Sequence, residues 1–292
     1  MLFSNLHAQS QSNDIYVLVL GSDSQKSNRR AAEKARYFGI GFLRRCVMDT
    51  PLPVDKLLFP SDDQISAMES STTKKKFVVL VSPGSFNPPT HMHLRLFELA
   101  RDALNVEGYV VLGGYISPVN DAYRKKGLLS AEHRVKMCHL ASKTSQVVMV
   151  DEWEANQSTF QRTLIVLSSI RDRLCKTGLF CGQSLKVMLV CGSDLLKSFT
   201  IPSVWIPEQI KTICRDFGIV CIRREGEDVM NIILNDEILF ANKDNIKVVD
   251  ELIPNQISST RVRYCISRGL SVKYVVADDV IEYIKEQELY LT

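Results

Sequence analysis

Several features that mark specialised classes of protein are missing from this sequence of 292 residues. Its apolar runs are all far shorter than the roughly 18 residues of a membrane-spanning helix, which argues against a membrane protein. Its eight cysteines include no C-x-x-C pair. Neither a zinc site nor a disulfide framework is therefore expected, and a reducing compartment is favoured. The apolar residues 15–20 are few and follow no basic leader, which argues against a secretory signal.

The net charge is also small, at +3. Residues 1–47 carry seven Lys/Arg against three Asp/Glu, a balance of +4, so residues 48–292 sum to about −1. A nearly neutral body is not typical of a nucleic-acid-binding protein, and no such partner is expected. The apolar content of 45% and the charged content of 24% are those of an ordinary globular protein.

The first part of the chain has little periodicity. Residues 1–75 contain a Ser/Gln/Asn-rich start, several prolines and the run 74–76 of three lysines. This composition predicts a poorly ordered N-terminal extension and linker, with a local helix around Arg29–Phe38. Three interpretations of residues 1–47 stay open: an organelle transit peptide, an interaction arm, or an upstream start codon with Met48 as the true start. Because acidic residues interrupt the basic ones, targeting to an organelle is the weakest of the three, and the cytoplasm or the nucleus is the expected location.

From residue 76 onward, strand and helix patterns alternate. The predicted strands are residues 77–81, 109–116, 147–150, 185–191, 219–222 and 245–249. The predicted helices are residues 94–101, 131–141, 160–174, 208–217, 259–268 and 278–288. Such alternation is typical of an α/β protein with a parallel sheet and helices on both faces. In these sheets ligands bind beyond the carboxyl ends of the strands, and the polar segments of this chain follow predicted strands.

The most informative segment is residues 84–93, GSFNPPTHMH, between the strand 77–81 and the helix 94–101. Backbone N–H groups at a helix start, beside a glycine that permits close approach, form a natural phosphate site. A histidine one turn into the helix can add a hydrogen bond or a positive charge. A tight turn with a capping hydroxyl is the alternative, but the two prolines and two histidines favour phosphate chemistry.

Three further segments carry candidate ligand groups. Residues 123–127, YRKKG, suit a polyphosphate, although they are also typical of a solvated basic loop. In residues 191–196, CGSDLL, Asp194 can bind a ribose hydroxyl or cap a helix. Residues 257–263, ISSTRVR, can form an anion cradle, although serines often cap basic helices. The tryptophans Trp153 and Trp205 both fall where a base could stack, and such rings also close cores.

In their order and spacing, four motifs resemble the eukaryotic nicotinamide mononucleotide adenylyltransferase family. They are G-S-F-N-P-x-T-x-M-H, I-S-P-V-x-D-A-Y-x-K-K-G-L, C-G-S-D-L-L and I-S-S-T-x-x-R. Thr90 and His93 stand where the wider superfamily has the two histidines of H-x-G-H. The resemblance covers about residues 75–292 and is greatest to the plant branch.

The resemblance implies a Rossmann-like, doubly wound nucleotidyltransferase domain over residues 76–292. It also implies an enzyme that transfers the adenylyl group of ATP to nicotinamide mononucleotide or nicotinic acid mononucleotide, the final step of NAD biosynthesis. Mg²⁺ would arrive with ATP, without a dedicated protein site for the metal. Whether the protein forms a homo-oligomer stays open.

The resemblance also implies the roles of individual residues. Catalysis would fall to His93, Lys126 and Arg263. The mononucleotide would be bound by Gly84, Ser85, Tyr123, Lys125, Phe160, Thr163, Val204, Trp205 and Asn255. ATP would be bound by His93, Lys126, Gly192, Asp194, Glu251, Thr260, Arg261, Val262 and Arg263. Phe160 replaces a tryptophan of the animal enzymes and is expected to lie across the pyridine ring from Trp205.

Three other functions stay open at this point. A related transferase could use a different phosphate acceptor, although the Y-x-K pattern of residues 123–125 and the aromatic pair favour a pyridine nucleotide. A non-catalytic nucleotide-binding protein is disfavoured because His93, Lys126 and Arg263 are intact. A metal protein using His91 and His93 lacks further ligands in the sequence.

Overall fold

A six-stranded parallel sheet organises the part of the chain that the structure describes. This computed structural model describes residues 50–59, 76–178, 185–224, 226–253 and 255–291. The strands are β1 (Lys76–Gly84), β2 (Tyr109–Pro118), β3 (Val148–Val150), β4 (Leu185–Gly192), β5 (Ile219–Arg223) and β6 (Ile246–Asp250). Their order is β3-β2-β1-β4-β5-β6, and every neighbouring pair is parallel. The strand order reverses between β1 and β4, where sheets of this kind bind ligands.

Helices cover both faces of this sheet. They are α1 (His91–Val106), α2 (Ala131–Ser142), α3 (Thr163–Lys176), α4 (Ser193–Ser198), α5 (Pro207–Thr212), α6 (Val229–Leu234), α7 (Glu237–Ala241), α8 (Ser259–Ser267) and α9 (Asp278–Glu286). Successive residues of a strand point to opposite faces. In β1, Val79 and Val81 accordingly pack in one apolar cluster with α3, whereas Val78 and Leu80 pack in another with α1. The predicted doubly wound parallel sheet is therefore confirmed.

Each predicted strand corresponds to an observed strand, but some helices differ from the prediction. The helix predicted over 160–174 begins at Thr163, because turns occupy the residues before it and leave Phe160 outside the helix. The helix predicted over 208–217 is α5 followed by a π-helical turn at Ile213–Phe217. The sequence did not predict α6 and α7, since helices of six and five residues are too short to show a helical period.

A third apolar cluster brings the end of the chain to the carboxyl edge of the sheet. Val262 of α8 and Val280 of α9 pack there against Met137 of α2. Hydrogen bonds continue this contact, because the Ser259 hydroxyl donates to the carbonyl of Pro88 at 2.8 Å. The start of α8 thereby lies beside the segment that leads into α1.

Residues 50–59 pack on the domain, so the predicted poorly ordered extension over residues 1–75 does not hold for them. Leu57 is buried in the same apolar cluster as Tyr115. The Tyr115 hydroxyl donates to the carbonyl of Pro53 at 2.7 Å, and the Lys56 ammonium donates to the carbonyl of Ser142 at 2.8 Å. The segment has no periodicity that a sequence could reveal, yet its side chains complete the core.

The rest of that extension, residues 1–49 and 60–75 with the helix expected around Arg29–Phe38, lies outside the described residues. None of the helices in the described ranges combines the length and the apolar character needed to cross a membrane.

Candidate active site

The segment between β1 and α1 forms the floor of the site. Gly84 ends β1, and α1 begins at His91 with Thr90 as its N-cap residue. A Cβ atom on Gly84 would lie 3.2 Å from the ring of Phe86, so a larger residue would press on that ring. The sequence therefore needs glycine here because the backbone and an aromatic ring approach each other closely. The first turn of α1 faces the carboxyl edge of the sheet, as predicted.

His93 is oriented by Thr90. The backbone N–H of Thr90 donates to Nδ1 of His93 at 3.0 Å. Nδ1 is therefore the acceptor, and the neutral ring carries its proton on Nε2. Burial and, after it, the charge of Arg224 lower the pKa of His93 to about 4. Of the two roles that the sequence left open, a hydrogen-bond donor or a positive charge, the structure favours a neutral donor.

A cavity of about 380 Å³ opens above this floor. Its lining includes four cationic side chains and one carboxylate, from Lys125, Lys126, Arg224, Arg263 and Asp194. Hydroxyl groups line the same cavity, from Ser85, Ser258, Ser259 and Thr260. Guanidinium and ammonium groups bind phosphate oxygens strongly. The smaller cavity therefore fits a polyanion, and it brings together residues from all of the predicted phosphate-binding segments.

A second cavity, of about 580 Å³, adjoins the first. Apolar side chains line part of it, from Met92, Leu96, Ile222 and Ile257. Carboxylates line another part, from Glu227, Asp228, Asp250 and Glu251. Apolar walls suit a flat base, and carboxylates accept hydrogen bonds from hydroxyl or amino groups. The larger cavity therefore fits a nucleoside.

Arg224 and His93 line both cavities and form the boundary between them. Arg224 follows β5, and its Nη1 atom donates to Asp194 at 2.7 Å. This arginine was not among the residues predicted from the sequence. The signal was available, because Arg223 and Arg224 directly follow a predicted strand, where ligand-binding residues were expected.

Asp194 does not cap a helix. α4 begins at Ser193 with Gly192 as its N-cap residue, and the carboxylate of Asp194 pairs with Arg224 instead. The alternative of a capping role is therefore wrong. Gly192 lies beside Arg224, whose Nε atom is 3.6 Å from the position of a Cβ at this glycine.

Only part of the motif 257–263, at the N-terminal end of α8, lines the smaller cavity. Nη1 of Arg263 donates to the carbonyl of Asn87 at 2.8 Å, and Thr260 lies near its other nitrogen. Arg261 is exposed and lines neither cavity. The side chain of Val262 is buried in the third apolar cluster, so only its backbone is available to a ligand. The capping interpretation of the serines is also correct in part, because the Ser258 hydroxyl accepts from the Arg261 N–H.

Glu251 and Asn255 line the larger cavity. Of these two residues, Glu251 was predicted to bind ATP and Asn255 to bind the mononucleotide. Arg95 of α1 donates to both carboxylate oxygens of Glu251, at 2.7 and 2.9 Å. This hydrogen bond lowers the pKa of Glu251, which is therefore ionised at neutral pH. Arg95 is a second arginine that the sequence analysis missed.

A buried arginine ties the loops around the smaller cavity together. Arg134 of α2 has an exposed fraction of 0%. Its guanidinium donates to the carbonyl of Ser85 at 3.2 Å, the carbonyl of Val119 at 2.6 Å and the carboxylate of Asp121 at 3.0 Å. A buried charge needs such partners. Because Arg134 lies inside a helical pattern, the sequence offered no signal for it.

The aromatic residues form two pairs. Phe160 stacks on Tyr123, with ring centroids 5.4 Å apart, whereas Trp205 packs edge-on against Phe199 at 4.5 Å. The placement of Phe160 across a bound pyridine ring from Trp205 stays a prediction. Both Phe160 and Tyr123 are partly exposed, and each covers apolar area of the other. Trp153 is buried in the core, so its interpretation as a ligand platform is wrong.

Of the other residues predicted for the mononucleotide, Thr163 and Val204 lie outside the two cavities. Thr163 is the first residue of α3, and Val204 is half exposed beside Trp205. Ser85 and Lys125 line the smaller cavity. Within the described ranges, no group of three or more His, Cys, Asp or Glu side chains could hold a metal ion.

Comparisons with known proteins agree with this chemistry. A family model described as cytidylyltransferase-like matches residues 81–264. A protein of Arabidopsis thaliana named nicotinamide/nicotinic acid mononucleotide adenylyltransferase is 61% identical over 243 residues, 83% of this chain and 98% of that protein. A protein of the same name from Oryza sativa subsp. japonica is 58% identical over 243 residues, 83% of this chain and 95% of that protein.

One solved structure extends the comparison to the fold. Plasmodium falciparum nicotinic acid mononucleotide adenylyltransferase complexed with NaAD has a TM-score of 0.50 at 18% identity, covering 73% of this chain and 97% of that one. At this identity the likeness concerns the fold alone.

Proposed function

This chain belongs to the nicotinamide/nicotinic acid mononucleotide adenylyltransferase family, and we propose that its two cavities divide the ATP molecule between them. The enzyme transfers the adenylyl group of ATP to nicotinamide mononucleotide or nicotinic acid mononucleotide. The products are pyrophosphate and NAD or its deamido form. This reaction is the final step of NAD biosynthesis.

The observation that carries the proposal is the boundary shared by the two cavities. The triphosphate would lie in the smaller, cationic cavity, and the adenosine in the larger one, whose wall is apolar and acidic. His93 and Arg224 would then flank the point where adenosine meets triphosphate, which is the α-phosphorus. Asn255 lines the larger cavity, so we assign it to adenosine, although the sequence resemblance assigned it to the mononucleotide.

The mononucleotide would approach the opposite side of the smaller cavity. Its phosphate would bind Ser85 and Lys125, which line this cavity. Its pyridine ring would take the place of Tyr123 against Phe160, because both rings are accessible and already arranged for stacking. Val204, Trp205 and Thr163 lie outside the cavities, and their contacts with the pyridine nucleotide stay predictions.

The reaction needs no general base. A phosphate monoester has a second pKa of about 6 and is largely a dianion at neutral pH. Its oxygen attacks the α-phosphorus, and pyrophosphate leaves in line. The obstacle is the repulsion between two polyanions, which fixed positive charge and alignment reduce. Lys126 and Arg263 would stabilise the charge on the departing pyrophosphate, and Nε2–H of His93 would donate to a phosphate oxygen near the reacting atom.

Mg²⁺ would enter as part of the Mg-ATP substrate. The family uses ATP, and polyphosphate oxygens are good ligands for this ion. The described residues contribute charge through lysine and arginine in the smaller cavity, with Asp194 as its one carboxylate.

The proposal is tested by measuring pyrophosphate release from Mg-ATP with either pyridine mononucleotide, using the full chain. We expect Arg263→Ala to raise the KM for ATP by roughly 10- to 100-fold, because charge-assisted hydrogen bonds contribute about 1.5–3 kcal/mol. Arg268→Ala is the matched control, since Arg268 ends the same helix, packs over Tyr264 and lines neither cavity. An equal ATP response in the two variants would remove Arg263 from the triphosphate site, and release with neither mononucleotide would contradict the activity.

A further inference from the structure

Asn87 connects the two loops that line the smaller cavity. Its side chain is almost fully buried. Nδ2 donates to the carbonyl of Gly127 at 2.7 Å, and Oδ1 accepts from the N–H of Leu129 at 3.3 Å. A carbonyl on one side and an N–H on the other fix the orientation of the amide. Asn87 therefore links the segment before α1 to the loop that carries Lys125 and Lys126.

The same side chain has a third partner near the end of the chain. The hydroxyl of Tyr290 lies 2.8 Å from Oδ1 of Asn87. Because the orientation of the amide makes Oδ1 an acceptor, the Tyr290 hydroxyl must donate. The ring packs in the third apolar cluster, and burial raises the pKa of this phenol well above its usual range. The phenol is therefore protonated at any physiological pH and donates a hydrogen bond to Asn87.

The backbone of Asn87 also holds a proposed phosphate ligand, because its carbonyl accepts from Arg263 at 2.8 Å. Asn87 is therefore hydrogen-bonded to Arg263, to the loop that carries Lys125 and Lys126, and to Tyr290. Tyr290 adopts a φ of +64°, and Glu288, two residues earlier, adopts +51°. Such backbone conformations are costly for residues other than glycine and persist where surrounding contacts hold them.

We propose that Tyr290 is a positioning residue for adenylyl transfer. Acting through Asn87, its hydroxyl sets the distance between Arg263, which holds the departing pyrophosphate, and the loop that carries Lys125, which holds the attacking mononucleotide. This role rests on the proposed placement of both phosphates in the smaller cavity. Loss of the hydroxyl disturbs alignment, whereas the adenosine cavity, which neither Asn87 nor Tyr290 lines, stays unchanged.

The test compares Tyr290→Phe with Tyr283→Phe in the full chain. Tyr283 of α9 packs in the same apolar cluster, and its hydroxyl is 2.8 Å from Nδ1 of His133, yet neither residue lines a cavity. Both variants keep the ring and lose one hydrogen bond, so both should shift the thermal midpoint by similar amounts, about 2–4 °C. We expect Tyr290→Phe to lower kcat about tenfold, with the KM for ATP within about twofold of wild type, because small misplacements of reacting groups are costly. Tyr283→Phe should retain the wild-type kcat.

A double variant shows whether Tyr290 acts through Asn87. If it does, adding Tyr290→Phe to Asn87→Ala causes no further loss of kcat, because effects of coupled residues are not additive. A tenfold loss in both backgrounds would overturn the proposal, as would equal kcat values for the two tyrosine variants. A Tyr290→Phe protein that is unfolded at the assay temperature would also overturn it, since the hydroxyl would then hold the fold. Inactive wild type would instead contradict the proposed function.

Discussion

The structure predicts that His93 works as a neutral hydrogen-bond donor. With a pKa of about 4, protonating this ring in the free enzyme at pH 7 costs about 4 kcal/mol. Its donor atom is Nε2, because Nδ1 accepts from Thr90. A glutamine amide can place an uncharged N–H group at a similar reach, whereas alanine offers no donor. His93→Gln and His93→Ala therefore separate the donor from the rest of the side chain.

We expect His93→Ala to lower kcat by about 10²–10³, the usual effect of removing one donor to a developing negative charge. The kcat of His93→Gln should be at least about tenfold higher than the kcat of His93→Ala. The pH dependence of kcat/KM for ATP between pH 6 and 8.5 should be parallel in wild type and His93→Gln, since a neutral donor does not titrate there. Pyrophosphate release at several pH values measures both quantities.

The same lowered pKa affects stability, because the unfolded protein binds the proton more tightly than the folded one. The folded pKa of His93, about 4, lies below the ordinary value of 6.5. The stabilisation is present above pH 6.5 and is lost as the pH falls toward 4. Between pH 7 and 4.5, wild type should lose about 2.5 kcal/mol more unfolding free energy than His93→Gln. A titration of the imidazole by NMR that gave a pKa of 6 or higher in the free enzyme would refute this reasoning, as would equally inactive glutamine and alanine variants.

Two further predictions concern Glu154 and Phe160. Burial raises the pKa of Glu154 to about 8. The protonated Glu154 therefore stabilises the folded protein at acidic pH, and this stabilisation is lost as the pH rises through 8. Between pH 5 and pH 9, the unfolding free energy of wild type should therefore fall by about 4 kcal/mol more than that of Glu154→Gln. Urea unfolding at both pH values measures this difference, and an equal change in the two proteins would disprove the prediction. Phe160→Leu keeps apolar volume but loses the stacking surface, worth about 0.5–1.5 kcal/mol, and should raise the KM for the mononucleotide about 2- to 10-fold with no change in the KM for ATP. Phe240→Leu is its control, because Phe240 is a comparably exposed ring on α7 outside both cavities, and an equal KM in the two variants would exclude stacking on Phe160.

Local patterns were sufficient to predict most of the architecture. Strands such as β1 are continuous apolar runs because both of their faces are covered, and this makes them visible in a sequence. The segment 84–93 could be interpreted as a phosphate site because its function depends on a local event, the start of a helix after a glycine. Segments without a period gave no such signal, and the packing of residues 50–59 around Leu57 was therefore unforeseen.

The site was predicted well where a motif carries it and poorly where a single side chain does. Lys125, Lys126 and Arg263 were expected and line one cavity. Arg134 and Arg224 were not expected, since an isolated arginine in a helix or after a strand resembles many surface arginines. Arg134 contacts Asp121, Val119 and Ser85, which lie 13 to 49 residues away in the sequence, and Arg224 contacts Asp194, 30 residues away.

The sequence by itself determined the alternation of strands and helices, the family and the cationic motifs, because each follows from neighbouring residues. The tertiary structure decided which of these groups share a cavity and in what state they act. It lowered the pKa of His93 through burial and the nearby Arg224, and it stacked Phe160 on Tyr123. Protonation, pairing and burial depend on distances between residues far apart in the chain, and only folding sets those distances.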